Sequence, residues 1–229
     1  MTFLTLDNAG VIGGLLLAFA LFVLGLQFGV MFVGSMILFL VASAIVTKAG
    51  EKRKKKIGTY EKARGIRNVI ANGLGPLMMA LLFYIFATKG MELLESLSVI
   101  GFLGSIAAIT SDKFASEIGV LGNEPVELLT LKKVKRGTSG AVSALGLVAS
   151  FFGSFIVSLV ALPYAGILFY PYNYALQAVA AIAIGGFIGS IIDSALGYYE
   201  ERGIGNKFST NFICSISGAL ASILLFMLL

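Results

Sequence analysis

The stretch "FGVMFVGSMILFLVASAIVTKAGEKRKKK", residues 28–56, decides the fold class. Residues 28–47 carry no charge. As a helix rising 1.5 Å per residue, they match the roughly 30 Å hydrocarbon core of a bilayer. The chain then turns abruptly basic. A lipid-facing β-strand would alternate apolar and polar residues, and this run does not, so a β-barrel is excluded. Similar runs recur, and seven spans are predicted at 8–25, 28–47, 69–88, 94–111, 140–161, 176–196 and 210–229. The reading is an all-α integral membrane protein, one polytopic domain over residues 1–229.

Composition agrees. The 229 residues are 58% hydrophobic and 13% charged, against about 25% charged in soluble domains. The 28 glycines fit a bundle whose helices approach closely. There is no histidine, which excludes a His base, a His metal ligand and a Ser-His-Asp triad. The single cysteine, Cys214, excludes an internal disulfide and a Cys-rich metal site. Acid–base or metal chemistry therefore falls to Asp, Glu, Lys, Asn and Tyr. The opening "MTFLTLDNAG" has no basic segment, so a cleaved signal peptide is not expected.

Lys and Arg set the orientation. Nine lie between the second and third spans, five between the fourth and fifth, two between the sixth and seventh, and only Lys89 on the opposite side. The positive-inside rule makes the richer face cytoplasmic and puts the N-terminus inside. The basic loops also attract anionic lipid. No nucleic-acid partner is expected. On the opposite side, "LPYAGILFYPYNYALQ" between the fifth and sixth spans reads as an interfacial aromatic loop or a short re-entrant piece. "GFLGSI" at 101–106 recurs as "GFIGSI" at 186–191. Each opens a span running to the cytoplasm, followed by an aspartate, a polar loop and a rising span rich in hydroxyls and Gly. The expectation is a parallel internal repeat.

The polar stretch "ITSDKFASEIGVLGNEPVELLTLKKVKRGTSG", 109–140, holds most of the candidate chemistry. Asp112 and Ser116 share a helix face if the helix continues, and Glu117 reaches the same pocket if it ends there. Asp193 lies within "GGFIGSIIDSALG", where a carboxylate is costly unless it meets a cation, a partner or water. Carboxylates without His or Cys suit a hard cation such as Mg²⁺. The plainer readings are a hydrogen bond that Asp193 accepts from Ser or Asn on a neighbouring helix and a Glu117–Lys113 ion pair. Lys132, Lys133 and Arg136 precede the turn Gly137, Thr138, Ser139, Gly140. If that turn opens the fifth helix, its free N–H groups and positive dipole end make a phosphate cradle. The plainer reading is a capped helix with a topogenic basic flank. Two further helix starts add Arg64, Arg67 and Asn72, and Asn206, Lys207 and Asn211. The residues alone reach as far as phosphate binding or phosphate chemistry at the cytoplasmic face.

"SDKFASEIGVL" and "VKRGTSGAVSALG", with "RGIRNVIANG", "GSIIDSALG" and "STNFICSISG", resemble the family labelled domain of unknown function 92, or transmembrane protein 19. The motif order matches from about Lys48 to Ser217. Lys113 stands where the family usually has Thr, and Ala141 where it usually has Gly. The family's plant member is phytyl-phosphate kinase, a distant relative of CTP-using lipid kinases. The resemblance implies a kinase that converts an isoprenyl monophosphate to the diphosphate with a nucleoside triphosphate, CTP by analogy, and Mg²⁺. It implies metal and catalytic roles for Asp112, Glu117 and Asp193. Lys132, Lys133, Arg136 and the 137–140 turn would neutralise phosphate. An ionised lipid phosphate needs no strong base, which suits a chain without His. Three alternatives stay open: a transporter or flippase of polyprenyl phosphate or another anion, a lipid cytidylyltransferase, and a non-catalytic scaffold.

Overall fold

The computed structural model describes residues 6–60, 65–122, 124–168 and 174–229. Helix α1 (Asn8–Leu24) starts where Asp7 Oδ1 accepts the Gly10 N–H at 2.7 Å. A 3₁₀ turn (Leu26–Phe28) leads into α2 (Gly29–Lys48). The basic α3 (Glu51–Lys56) follows Gly50, whose φ of 67° takes the left-handed turn between the two helices. Then come α4 (Ile66–Thr88) and α5 (Glu92–Gly119). A two-residue antiparallel ribbon pairs β1 (Val126–Glu127) with β2 (Ala141–Val142). Helix α6 (Ala144–Ser158) continues through a 3₁₀ turn (Leu159–Tyr164) into α7 (Ala165–Leu168). The chain ends with α8 (Ala175–Glu200) and α9 (Lys207–Leu228).

Among the described residues, six stretches are long and apolar enough to cross a membrane: Leu26–Lys48, Ile66–Thr88, Glu92–Gly119, Ala144–Ile167, Ala175–Glu200 and Lys207–Leu228. Helix α1, the first of the seven expected spans, is apolar but has only 17 residues. Residues 169–173, in the expected aromatic loop, lie outside the described residues, as does Arg64.

The core is α5. Every residue from 97 to 111 is buried, the mark of a helix enclosed on all sides. It packs against α2, α4, α6, α8 and α9. Small residues permit this. A Cβ at Gly189 of α8 would lie 2.7 Å from Ala108 Cβ of α5 and 2.8 Å from the Cys214 carbonyl of α9. Close backbone approach of this kind holds helices together where lipid supplies no hydrophobic drive. The recurrent Gly-rich sextets are thus helix contacts. Gly186 and Gly189 of α8 meet Ala107 and Ala108, so α8 runs parallel to α5. Helix α9 runs antiparallel to both, with Ser222 against Gly104 and Gly185.

Two boundaries differ from the sequence reading. Helix α5 runs on past residue 111 to Gly119, because Asp112, Ser116 and Glu117 face partners and cavities rather than lipid. The 137–140 turn does not open the fifth helix. Helix α6 begins at Ala144, where Ser143 Oγ accepts the Gly146 N–H at 3.1 Å. The hydroxyl that caps the helix lies three residues beyond the turn.

Candidate functional site

At the basic end of the bundle, α5 and α8 finish where α6 and α9 start. A cavity of about 410 Å³ opens there. Asp112 and Ser116 of α5, Arg136 and the 137–140 turn, Asp193 of α8 and Lys207 of α9 line it. Hydroxyls close its floor. Ser111 Oγ lies 2.9 Å from the Ser150 carbonyl, and Ser150 Oγ donates to Ser190 Oγ at 3.0 Å, joining α5, α6 and α8.

Asp193 is 4% exposed. Its Oδ2 accepts from Lys207 Nζ at 3.2 Å. Its Oδ1 is buried without a partner among the described residues. The Lys207 ammonium lies in the field of both Asp112 and Asp193. A carboxylate oxygen left unpaired in such a place is costly unless a ligand meets it.

An amide relay borders the next space, of about 330 Å³, which shares Asp112, Ser116 and Lys207 with the first. Asn72 Nδ2 donates to the Asn68 carbonyl at 3.0 Å and to Asn68 Oδ1 at 2.9 Å. A carbonyl can only accept, so the orientation of Asn72 is fixed. Its Oδ1 accepts from Asn211 Nδ2 at 3.2 Å, which leaves Asn211 Oδ1 outside the relay. That oxygen is also buried and unpartnered among the described residues. A third space, of about 590 Å³, is bordered by Asp7, Arg67, Asn206, Lys207 and Asn211. Lys207 borders all three.

The turn is held onto α8 by backbone contact. Gly137 and Gly140 have φ of 85° and 73°. A Cβ on Gly197 would overlap Gly140 N. The Ser139 N–H donates to Glu201 Oε1 at 2.7 Å. Next to this, Arg202 donates to Glu127 Oε1 at 3.1 Å and to the Tyr198 carbonyl at 2.7 Å, and its guanidinium lies 3.4 Å over the Tyr198 ring. The Thr130 hydroxyl, and after it Arg202, hold the Glu127 carboxyl below the usual carboxylate range, against an opposing effect of burial.

Of the expected residues, Asp112, Ser116, Arg136, Gly137, Thr138, Ser139, Gly140, Asp193 and Lys207 meet around one cavity. Asn72 and Asn211 lie in the adjoining space, and Arg67 and Asn206 in the third. Lys132 and Lys133 are exposed and line none of these spaces; Lys133 pairs with Glu124 at 3.1 Å. Glu117 is an ion-pair hub. It accepts from Lys54 Nζ at 2.7 Å and Thr47 Oγ1 at 2.9 Å, and pairs with Lys113 one turn earlier. Lys54 is fully buried and also donates to the Val46 and Thr47 carbonyls at the end of α2. Sequence reasoning missed Asn68, Ser150, Ser190 and Glu201. Asn68 carried a legible signal, one turn before Asn72 in the same helix start.

Among the described residues no three Asp or Glu side chains form a metal cluster. Asp112 and Asp193 line the first cavity, and Asp112 and Asn211 line the second. Asp193 and Asn211 each have a buried oxygen unpaired among the described residues. That fits Mg²⁺, which binds through one or two carboxylates and completes its shell with water and phosphate.

The chain is 34% identical over 224 residues to an uncharacterized membrane protein, MJ0933, of Methanocaldococcus jannaschii, covering 96% of this chain and 86% of that one. It is 31% identical over 210 residues to protein PGR of Arabidopsis thaliana, covering 84% and 71%. To protein VTE6, chloroplastic, of the same plant it is 32% identical over 126 residues, covering 53% and 37%. No solved structure matches. The model of the integral membrane protein family DUF92 matches residues 2–224, and the chain belongs to that family.

Proposed function

We propose that the protein is a membrane-embedded phosphotransferase. It converts an isoprenyl monophosphate, of the phytyl or geranylgeranyl kind, to the diphosphate with a nucleoside triphosphate, CTP by analogy. The basic end is the cytoplasmic face, with the N-terminus inside, and the α5–α6 and α8–α9 hairpins are two copies of one unit. The observation that carries the reading is the buried Asp193, with one oxygen paired to Lys207 and the other unpaired among the described residues, lining one cavity with Asp112, Arg136 and the 137–140 turn. The family resemblance and the distant likeness to VTE6 support it.

The residues divide the work. Asp112 and Asp193, with Asn211 Oδ1, would hold Mg²⁺, which supplies charge neutralisation to the triphosphate when bound. Arg136, Lys207 and the 137–140 backbone hold and orient the phosphates of the donor. Ser150 and Ser190 close the chamber on its membrane side. A lipid phosphate oxygen attacks the γ-phosphorus, the new P–O bond forms, and the bond to the β-phosphate bridging oxygen breaks. The nucleoside diphosphate leaves with that electron pair. The attacking oxygen is ionised near neutral pH, so positioning and charge supply the catalysis. Glu117, bound by Lys54, Lys113 and Thr47, fixes the end of α5 that carries Asp112.

The test is nucleotide binding by the purified protein with and without Mg²⁺. Mg²⁺ should tighten binding at least tenfold, and Asp193→Asn should remove that gain. Equal affinity with and without Mg²⁺ would overturn the metal assignment.

A further inference from the structure

Between α1, α2 and α4 lies an apolar slot that the polar site leaves unused. Leu17 and Ala18 of α1, Val33, Met36 and Leu40 of α2 and Val69 of α4 line it. Its rim includes Ile37, 52% exposed on an outward face of α2. In a membrane that face meets lipid. The inner end is polar. Asn68 and Asn72 line the slot, and the same two side chains, with Phe39, line the space that holds Asp112, Lys207 and Asn211. The slot and the site therefore share one wall, built by Phe39, Asn68 and Asn72: the slot is apolar on its side of that wall, and the space beyond it is charged. The slot is narrow. Its open volume is about 60 Å³, where one water needs roughly 10–15 Å³ by the same measure. That is room for a few carbons of one chain.

We propose that this slot holds the apolar chain of a single-chain lipid monophosphate, which slides in sideways from the bilayer and presents its phosphate to Lys207. The assignment rests on the phosphotransferase reading for the head group. It separates the two substrates. The nucleotide occupies the chamber under the 137–140 turn, and the lipid reaches it from the α1–α2–α4 side. Lipid tails are as apolar as the slot wall, so the chain gains little by moving out of the bilayer. The slot sets orientation and shape selection, and it excludes two-chain phospholipids.

Gly14 gives the means of testing it. It lines the slot, and among the described residues a Cβ there would meet nothing within 4 Å but Leu6 Cδ1, at 4.0 Å. Neighbouring Gly13 is closed by Ile66 at 3.1 Å. Gly14→Leu should thus plug the slot without displacing a helix, and Val33→Phe should plug it from α2.

The experiment uses the full chain in nanodiscs and a single-chain alkyl monophosphate with a diazirine in its tail. Labelled peptides are mapped by mass spectrometry. Label should concentrate on the slot-lining residues of α1 and α2. Gly14→Leu and Val33→Phe should each cut it at least fivefold, with Mg²⁺-nucleotide binding unchanged, while Gly14→Ala keeps it. Label spread evenly over the lipid-facing surface, or undiminished in both plugged variants, would overturn the slot. Diphosphate formation without slot labelling overturns the slot and leaves the phosphotransferase standing. Slot labelling without diphosphate does the reverse.

Discussion

At the scale of single residues, two buried acids one helix apart play opposite parts. Glu117 has its oxygens filled by Lys54, Lys113 and Thr47. Asp193 keeps one oxygen unpaired in a buried place. Lys54→Ala should destabilise the protein by about 3 kcal/mol, since it strands buried charge and the last carbonyls of α2. Lys55→Ala, which breaks the exposed pair with Glu51, should cost far less, because solvent screens it. Unfolding by a graded detergent titration measures both, and equal losses would contradict the hub. Asp193→Asn should leave stability near that of the wild type and abolish Mg²⁺-dependent turnover. A wild-type rate in that variant would remove the metal role. The intramembrane position of Asp193 was legible from its apolar flanks. The two roles were not, because Lys54 and Glu117 are 63 residues apart and only the fold joins them.

At the scale of elements, the 137–140 turn is fixed by its neighbours rather than by a helix start. The sequence showed a glycine turn with basic flanks. It did not show that Gly197 of α8 presses on Gly140, or that Glu201 takes the Ser139 N–H. Both contacts come from a helix about sixty residues on. Gly197→Ala should push the turn off α8 and cut turnover at least tenfold with helix content unchanged in circular dichroism. The loop before the turn has its own anchor in Glu127 and Arg202. Because the folded-state carboxyl titrates below its ordinary range, the anchor is complete above about pH 4.5 and is lost as pH falls through the depressed value. Protection of residues 124–142 against hydrogen exchange should hold from pH 7 to 5 and fall as pH drops through the depressed value. In Arg202→Gln exchange should be fast throughout. Protection that fades between pH 7 and 5 would contradict the anchor.

At the scale of the molecule, the all-helical membrane class follows from hydropathy, and the basic end of the bundle follows from Lys and Arg. Six of the expected spans have the length and apolarity to cross a membrane, and α1 is the short one. What hydropathy could not convey is that Lys207 borders three spaces, or that an apolar slot shares a wall with one of them. The separation of a nucleotide chamber from a lipid path gives the account its central claim, group transfer between a soluble donor and a membrane-held acceptor. The direct measurement is product analysis. Purified protein receives Mg²⁺, each nucleoside triphosphate in turn and geranylgeranyl monophosphate, and the lipid is read by mass spectrometry. The account predicts geranylgeranyl diphosphate and a matching amount of nucleoside diphosphate, with one nucleotide preferred. A folded protein that leaves the monophosphate unchanged with every nucleotide and several chain lengths, or that releases pyrophosphate with a nucleotidylated lipid, would contradict it.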